Sequence, residues 1–344
     1  MKRALAWLRI LGAVAILAVL VWQLGSAAFL EGLGRIDTAG VLAALGVGFV
    51  TTLLSASRWQ IVATRLGLRL SLRTAVADYY RALFLNGVLP AGVLGDVHRA
   101  VQHGREAGDV PRGVRAVVLE RTAGQVVLIA SAVTVVLAWP GVVPDAFREV
   151  VTVAGVVVVL AAVAALVVGR VLGGRWIHSP SKWRRGFAVT LADVRLGLLT
   201  RETWPAVGFL SIATLAGHLA LFVVAARVAG VGASVGQLVP LMILALLAMG
   251  LPLNVGGFGP REGVCALLFG AAGLGAVQGV TVAVVYGVLT LVASLPGAGV
   301  LLVRSIAGVR PARASQDGVV PAPRMAGDAG IESDVAADIV SGHG

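Results

Sequence analysis

The sequence carries the same chemical pattern twice, each time inside a strongly apolar stretch. The pattern Leu-Pro-x-x-Val-x-Gly-x-x-x-Arg ends at Arg99 in the first copy and at Arg261 in the second. Pro and Gly interrupt helices, and the helix that starts after such a break offers amide groups and a partial positive charge to an anion. An Arg in the next turn can add a two-pronged contact to a phosphate. The two copies therefore predict an anion site built from two helix breaks.

Polar and glycine residues around both breaks are the candidate substrate contacts. They are Asn86, Gly92, Gly95, Asp96 and Arg99 at the first break, Glu120 and Arg121 in the crossing after it, and Asn254, Gly256, Gly257, Gly259, Arg261 and Glu262 at the second break. A charge at membrane depth costs at least about 2.5 to 3.5 kcal/mol unless it is paired or hydrated, so such charges mark a pathway. The alternative is that they form ion pairs that only hold the two broken segments together.

Glu120 and Arg121 are neighbours in the sequence, and neighbours on a helix do not face one another. We therefore predict a different partner for each: Arg99 for Glu120, and Asp96 for Arg121. His218, in the middle of an apolar run, is either a proton relay or a packing histidine with a hydrogen bond. Tyr79, Tyr80 and Arg81 either anchor the chain at the interface or line a headgroup path.

The composition indicates an integral membrane protein. Of 344 residues, 58% are hydrophobic and 13% are charged, whereas an average soluble domain has about 25% charged residues. The net charge of +11 comes largely from Arg residues that bracket apolar runs, which is typical of membrane topology rather than of nucleic-acid binding. One cysteine excludes an intrachain disulfide. There is no phosphate-binding loop and no metal-ligand spacing, so we expect no metal, no cofactor and no enzyme activity.

The apolar runs predict an all-α integral membrane fold with about six full crossings and two re-entrant helical hairpins. The crossings are residues 7–24, 38–57, 114–138, 147–168, 204–226 and 276–303, each near the 20 residues that a bilayer needs. The hairpins are residues 75–100 and 237–275, each broken at its centre by the repeated pattern. The first crossing could be a cleaved signal peptide, but its long apolar run favours a retained helix.

An internal repeat organises these segments. Arg261 follows Arg99 by 162 residues. The same offset relates the crossing at residues 38–57 to that at 204–226 and the crossing at 114–138 to that at 276–303, with a shift in register of a few residues. One extra crossing separates the halves, so they run in opposite directions, as in inverted-topology transporters. We expect a membrane domain over residues 1–305 and a disordered cytoplasmic tail over residues 306–344.

Arg placement predicts that both termini are cytoplasmic. The basic loop at residues 169–203 then lies on the cytoplasmic side. It either contacts anionic headgroups, where each basic residue contributes about 1 kcal/mol, or is a solvated loop that only enforces topology.

The ordered motifs resemble the lysylphosphatidylglycerol synthase transmembrane region, or flippase-like, family over about residues 5–305. They are Arg58-Trp59, Asn86, Leu89-Pro90, Gly95-Asp96, Arg99, Glu120-Arg121, Pro252, Gly256-Gly257-Phe258-Gly259 and Glu262. The resemblance implies a membrane part that translocates lipids, without the C-terminal domain that transfers amino acids to phosphatidylglycerol. Before each helix start this chain has fewer glycines than members of the family usually have. The resemblance therefore does not identify the lipid.

Our hypothesis is a translocase of the cell membrane that moves the headgroup of an anionic phospholipid between leaflets, with Arg99 and Arg261 contacting the phosphate. One alternative is a carrier of polyprenyl-phosphate-linked glycan lipids. Another is a non-transporting membrane partner of a cell-envelope enzyme. An enzyme that transfers lipid headgroups has weaker support, because only Asp96, His98 and Glu262 offer a base or nucleophile near the breaks.

Overall fold

The computed structural model describes residues 34–89, 92–138, 181–250 and 259–306, with short helical pieces between residues 148 and 167. Every regular element in these ranges is a helix. In chain order the helices are α1 (Thr38–Arg65), α2 (Leu72–Val88), α3 (Leu94–Glu106), α4 (Val110–Ala138), α5 (Lys182–Leu198), α6 (Trp204–Val228), α7 (Val235–Met249), α8 (Pro260–Ala271), α9 (Ala276–Ser294) and α10 (Pro296–Ile306).

Four described helices are long and apolar enough to cross a membrane: α1, α4, α6 and the run from α9 into α10, Ala276–Arg304. These match four of the predicted crossings and support a multi-pass membrane protein. α1 continues two turns past the predicted end at residue 57, because Trp59, Val62 and Ala63 are fully buried and extend its packed face. The predicted crossing at residues 7–24 lies outside the described residues, as does most of the one at residues 147–168.

Two pairs of short helices stand where the sequence predicts hairpins. α2 and α3 flank the first break and pack closely, since a Cβ added to Gly95 would lie 2.1 Å from the carbonyl oxygen of Ala82. α7 and α8 flank the second break. There Gly259 has a φ of 113°, which favours glycine, and Pro260 begins α8, where its missing N–H is tolerated.

The tight contact at Gly95 gives a first prediction. Gly95→Ala should lower the free energy of unfolding by about 1 to 3 kcal/mol, because the clash is with backbone, which cannot move aside. Gly186→Ala, in α5, is the control, since its added methyl meets nothing within 4 Å. Thermal unfolding in detergent micelles compares the two variants. Equal midpoints would show that α2 and α3 do not pack as closely as described.

The helices α1 and α6 are antiparallel and pack against each other more extensively than any other described pair. Gly40 of α1 lies next to Val228 of α6, and Arg58 of α1 reaches Ser211 near the other end of α6. A Cβ on Gly217 would lie 2.2 Å from the Thr51 side chain, so small residues allow this close approach, as is common between membrane helices. The pair forms the frame against which both hairpins pack.

The basic segment at residues 169–203, which we predicted as a loop, contains a helix. α5 turns Ala188, Leu191 and Val194 toward the core, at the three-residue spacing of a helical face. The basic residues around this face obscured its periodicity in the sequence. The predicted tail and the N-terminal segment before residue 34 lie outside the described residues.

Candidate functional site

The first cluster of charges is centred on Glu120, which is fully buried in α4. Its Oε1 accepts hydrogen bonds from Arg58 Nε at 3.0 Å and Nη2 at 2.5 Å, and from the Tyr79 hydroxyl at 3.3 Å. Its Oε2 accepts from Arg99 Nη2 at 2.7 Å. One buried carboxylate therefore holds two arginines from different helices, and the predicted pairing of Glu120 with Arg99 is confirmed.

Arg99 is enclosed by the same cluster. None of its surface is exposed, and its Nε donates to Asp96 Oδ1 at 2.8 Å. Its guanidinium lies 4.6 Å from the centre of the Trp59 ring and 4.4 Å from that of Tyr79, distances at which an aromatic face attracts a cation. In the described part of the chain only Nη1 of this guanidinium is buried without a hydrogen-bond partner. Arg99 is thus held on several sides by its own protein.

Asp96 occupies the helix start that the sequence offers to an anion. It pairs with Arg121 Nη2 at 2.7 Å, which confirms the second predicted pairing, and accepts from Asn86 Nδ2 at 2.9 Å. The Asn86 Oδ1 accepts from the amide of Gly95 at 2.8 Å. Side chains of the hairpin therefore supply both the negative charge and the hydrogen-bond acceptor at the start of α3. Gly92, with a φ of 59°, lies in the turn just before it.

The second break is simpler. Glu262 accepts from the amide of Gly259 at 2.6 Å and from Arg261 Nε at 3.0 Å, and Arg261 Nη2 also pairs with it. The Arg261 guanidinium lies 5.4 Å from the centre of the Tyr286 ring. At this break, therefore, the two charged residues of the pattern pair with each other. The remaining predicted contacts, Asn254, Gly256 and Gly257, lie outside the described residues.

A cavity of about 90 Å³ lies between the two hairpins and the helices α1, α6 and α9. The end of α2 contributes Gly87, and the second hairpin contributes Met249 and Arg261. Both hairpins therefore reach the same space. Of the two arginines in the repeated pattern, Arg261 lines the cavity and Arg99 does not.

Four hydroxyl side chains lie in the wall of the cavity, which is otherwise mostly apolar. Thr51, Thr52, Thr290 and Ser294 line it. Thr51 and Thr290 donate to the carbonyl groups of Val47 and Tyr286, four residues earlier in their helices. Their oxygen atoms therefore keep acceptor capacity, which suits water or a hydrogen-bond donor in the cavity.

His218 also lines the cavity, and its Nδ1 lies 3.4 Å from the Tyr286 hydroxyl. Tyr286 in turn stacks on Phe222 with ring centres 4.6 Å apart. The hydrogen bond fits the packing alternative and the position on the cavity fits the relay alternative, so the role of His218 stays a prediction.

The structure thus brings the predicted residues together in two groups. The first contains Asn86, Gly95, Asp96, Arg99, Glu120 and Arg121, and the second contains Gly259, Arg261 and Glu262. Whether either group contacts a substrate stays a prediction. Within the described residues, no three His, Cys, Asp or Glu side chains form a group that could hold a metal ion.

Sequence reasoning missed the residues that support the first group. Arg58 directly follows the predicted crossing at residues 38–57, whereas in the structure it lies two turns before the end of α1 and donates to Glu120 and Ser211. Tyr79 was considered an interfacial anchor or part of a headgroup path, yet it packs between Arg99 and Arg121. The pair Arg58-Trp59, a charged residue beside a Trp in an apolar run, is the one feature of the sequence that points to a buried role in the first group.

The comparison with known families gives one match. The sequence model of the lysylphosphatidylglycerol synthase TM region matches residues 6–297, which is most of the chain. No curated protein and no solved structure matches it. The matched range includes every described helix through α9 and both charged groups. The chain therefore belongs to the family of the lysylphosphatidylglycerol synthase transmembrane region.

Proposed function

We propose that this protein moves the headgroup of an anionic phospholipid between the two leaflets of the cell membrane. The observation that carries the proposal is the shared cavity, which residues of both hairpins line together with Arg261 and four hydroxyl side chains. Membership of a family named for phospholipid chemistry supports a lipid as the substrate. In this role the protein makes and breaks no covalent bond.

The directions of the hairpins support alternating access. α2 starts after the Arg65 end of α1, whereas α7 starts after the Val228 end of α6. Because α1 and α6 are antiparallel, with Arg65 bonded to Glu202 just before α6, these are opposite ends of the bundle. We take the two hairpins as re-entrant elements of an inverted repeat, with the Arg65 end and both chain termini in the cytoplasm.

We take the small cavity as a closed form of the proposed path. About 90 Å³ holds a few water molecules and is well below the roughly 300 to 1,000 Å³ of ligand pockets. A headgroup can enter only if one hairpin moves away from α9 and α1. In each open state the phosphate would meet Arg261 and the hydroxyl groups, while the acyl chains stay in the lipid.

The direct test is exchange of labelled lipids in vesicles that contain the purified protein. Phosphatidylglycerol and a short polyprenyl phosphate are each followed from one leaflet to the other, with protein-free vesicles as the background. Exchange of phosphatidylglycerol supports the proposal. Exchange of the polyprenyl phosphate alone would replace it with the glycan-lipid carrier, and no exchange of either lipid would favour the non-transporting membrane partner.

A variant that fills the cavity tests where the lipid passes. Thr290→Leu adds apolar volume and removes a hydroxyl from the wall, so exchange should fall by about tenfold, equivalent to about 1.4 kcal/mol in the barrier. Thr134→Leu is the matched control, because Thr134 donates to a carbonyl four residues earlier in the same way but lies on an exposed face of α4. Equal exchange in both variants would place the path elsewhere.

A further inference from the structure

A separate group of buried charges joins α2 to α10. The Oδ1 of Asp78 accepts a hydrogen bond from Arg304 Nη1 at 2.7 Å and lies 3.1 Å from Arg81 Nη2. The side chain of Asp78 is 2% exposed, that of Arg81 is 4% exposed and that of Arg304 is 35% exposed. Two arginines therefore converge on one carboxylate oxygen, with Arg304 reaching toward the surface. None of these three residues lines the central cavity.

Arg81 is poorly satisfied for a buried cation. Its Nε and Nη2 make no hydrogen bond with the part of the chain that the structure describes. The Nη2 is close to Asp78 but not aligned for a hydrogen bond, and the Asp78 oxygen is already bonded to Arg304. Buried guanidinium donors without acceptors are unfavourable. The arrangement thus lacks an acceptor at Arg81.

The charges around Arg81 favour an anion as that acceptor. Arg81 and Arg304 carry two positive charges against one on Asp78, so the group has a net charge of +1. Arg81, Asp78 and Arg304 also interact electrostatically with His98, an exposed residue of α3. Among the described residues, Glu106 at the exposed end of α3 is a further carboxylate whose charge acts on Arg81. A guanidinium is planar and presents paired donors, a geometry that fits a phosphate.

We propose that Arg81 and Arg304 form a binding site for a phosphate group at the end of the bundle where α2 begins. The phosphate would first meet the partly exposed Arg304, and the Arg81 side chain, whose Nε and Nη2 are buried in this structure, would turn outward to donate to it. Asp78 positions the two guanidinium groups beside each other and prevents their repulsion from separating α2 and α10. The phosphate can belong to a membrane lipid or to a soluble phosphate ester, because both offer the same acceptor oxygens.

Binding can be measured without transport, so this inference stands independently of the proposed function. The full-length protein in neutral detergent is titrated with short-chain phosphatidylglycerol and, separately, with glycerol phosphate. Native mass spectrometry counts the bound lipid, and the thermal midpoint reports the soluble ester. Phosphatidylcholine, whose phosphate carries a neutralising choline, is the reference lipid.

Arg81→Gln should weaken binding by at least about tenfold, the loss expected when charge-assisted contacts to a phosphate are removed. Asp78 keeps Arg304 as its partner in this variant, so the fold should persist. The matched control is Arg73→Gln, which removes the same charge from an exposed position on the same helix and should bind as the wild type does. If Arg81→Gln fails to fold, Arg304→Gln, at a partly exposed position, should show the same loss.

The outcomes separate cleanly. Binding of phosphatidylglycerol alone identifies a lipid site, and binding of glycerol phosphate identifies a site for soluble esters. The proposal is overturned if the wild type binds neither probe, or if the Arg81 and Arg304 variants bind as well as Arg73→Gln. Binding that survives in Thr290→Leu while lipid exchange falls would show that this site and the central cavity are distinct.

Discussion

Glu120→Gln is expected to destabilise the folded protein by about 3 to 5 kcal/mol, the usual effect of removing one partner from a buried ion pair. The carboxylate accepts from Arg58 and Arg99 at once, and both arginines are nearly or fully buried. The glutamine side chain has the same shape but no charge, and its NH2 group would face one of the two guanidinium groups, so that donor would meet donor. Arg99 and Arg121 would then share the carboxylate of Asp96, and Arg58 would keep only its hydrogen bond to Ser211.

The measurement is thermal unfolding in detergent micelles, followed by the loss of the monodisperse peak in size-exclusion chromatography. Glu202→Gln makes the same chemical change in an exposed ion pair with Arg65, 2.7 Å long, and should cost no more than about 1 kcal/mol. Similar unfolding midpoints for the two variants would mean that water or lipid reaches Glu120, so that the first group of charges is not shielded from solvent.

This cluster shows what the sequence could predict about the site. The partners of Glu120 and Arg121 are predictable because adjacent helix residues point in different directions. The residues just after the first break also offer one acid, Asp96, and one arginine, Arg99. The four described crossings followed from the length of helix that a bilayer requires. These predictions depend on rules that act within one or two turns of helix.

Other features depend on contacts between distant segments, which one sequence does not reveal. Arg58 and Glu120 are 62 residues apart, and Asp78 and Arg304 are 226 residues apart. The sequence does not predict helix α5 for a related reason: its apolar face is recognisable only once Val194 and Leu198 are known to pack against the cluster around Trp59. Packing, rather than local propensity, determines these elements.

The two copies of the repeated pattern place their arginines in different surroundings. In the first copy, Asn86 and Asp96 occupy the helix start and Arg99 is surrounded by Trp59 and Tyr79. In the second copy, Arg261 has Glu262 beside it and borders the cavity. We therefore propose different roles for the two arginines: Arg99 mainly stabilises the first hairpin, and Arg261 contacts the headgroup.

The double variant Arg261→Gln, Glu262→Gln isolates the second role. Replacing both partners of a buried ion pair leaves no unpaired charge and is often neutral for stability, and the new amide oxygen at position 262 can still accept from the amide of Gly259. A charge-assisted hydrogen bond contributes about 1.5 to 3 kcal/mol. Losing the contact with the phosphate should therefore slow lipid exchange by about 10- to 100-fold, with little change in the unfolding midpoint.

The same pair of substitutions in an exposed ion pair is the control, Arg65→Gln with Glu202→Gln, and it should leave exchange at the wild-type rate. Arg261→Lys sharpens the interpretation, because a lysine keeps the positive charge beside Glu262 but cannot make a two-pronged contact. Exchange that falls in Arg261→Lys nearly as far as in the double variant would indicate that geometry matters more than charge. Exchange at the wild-type rate in a stable double variant would remove Arg261 from the lipid path, and the hydroxyl side chains of the cavity would then have to bind the headgroup without it.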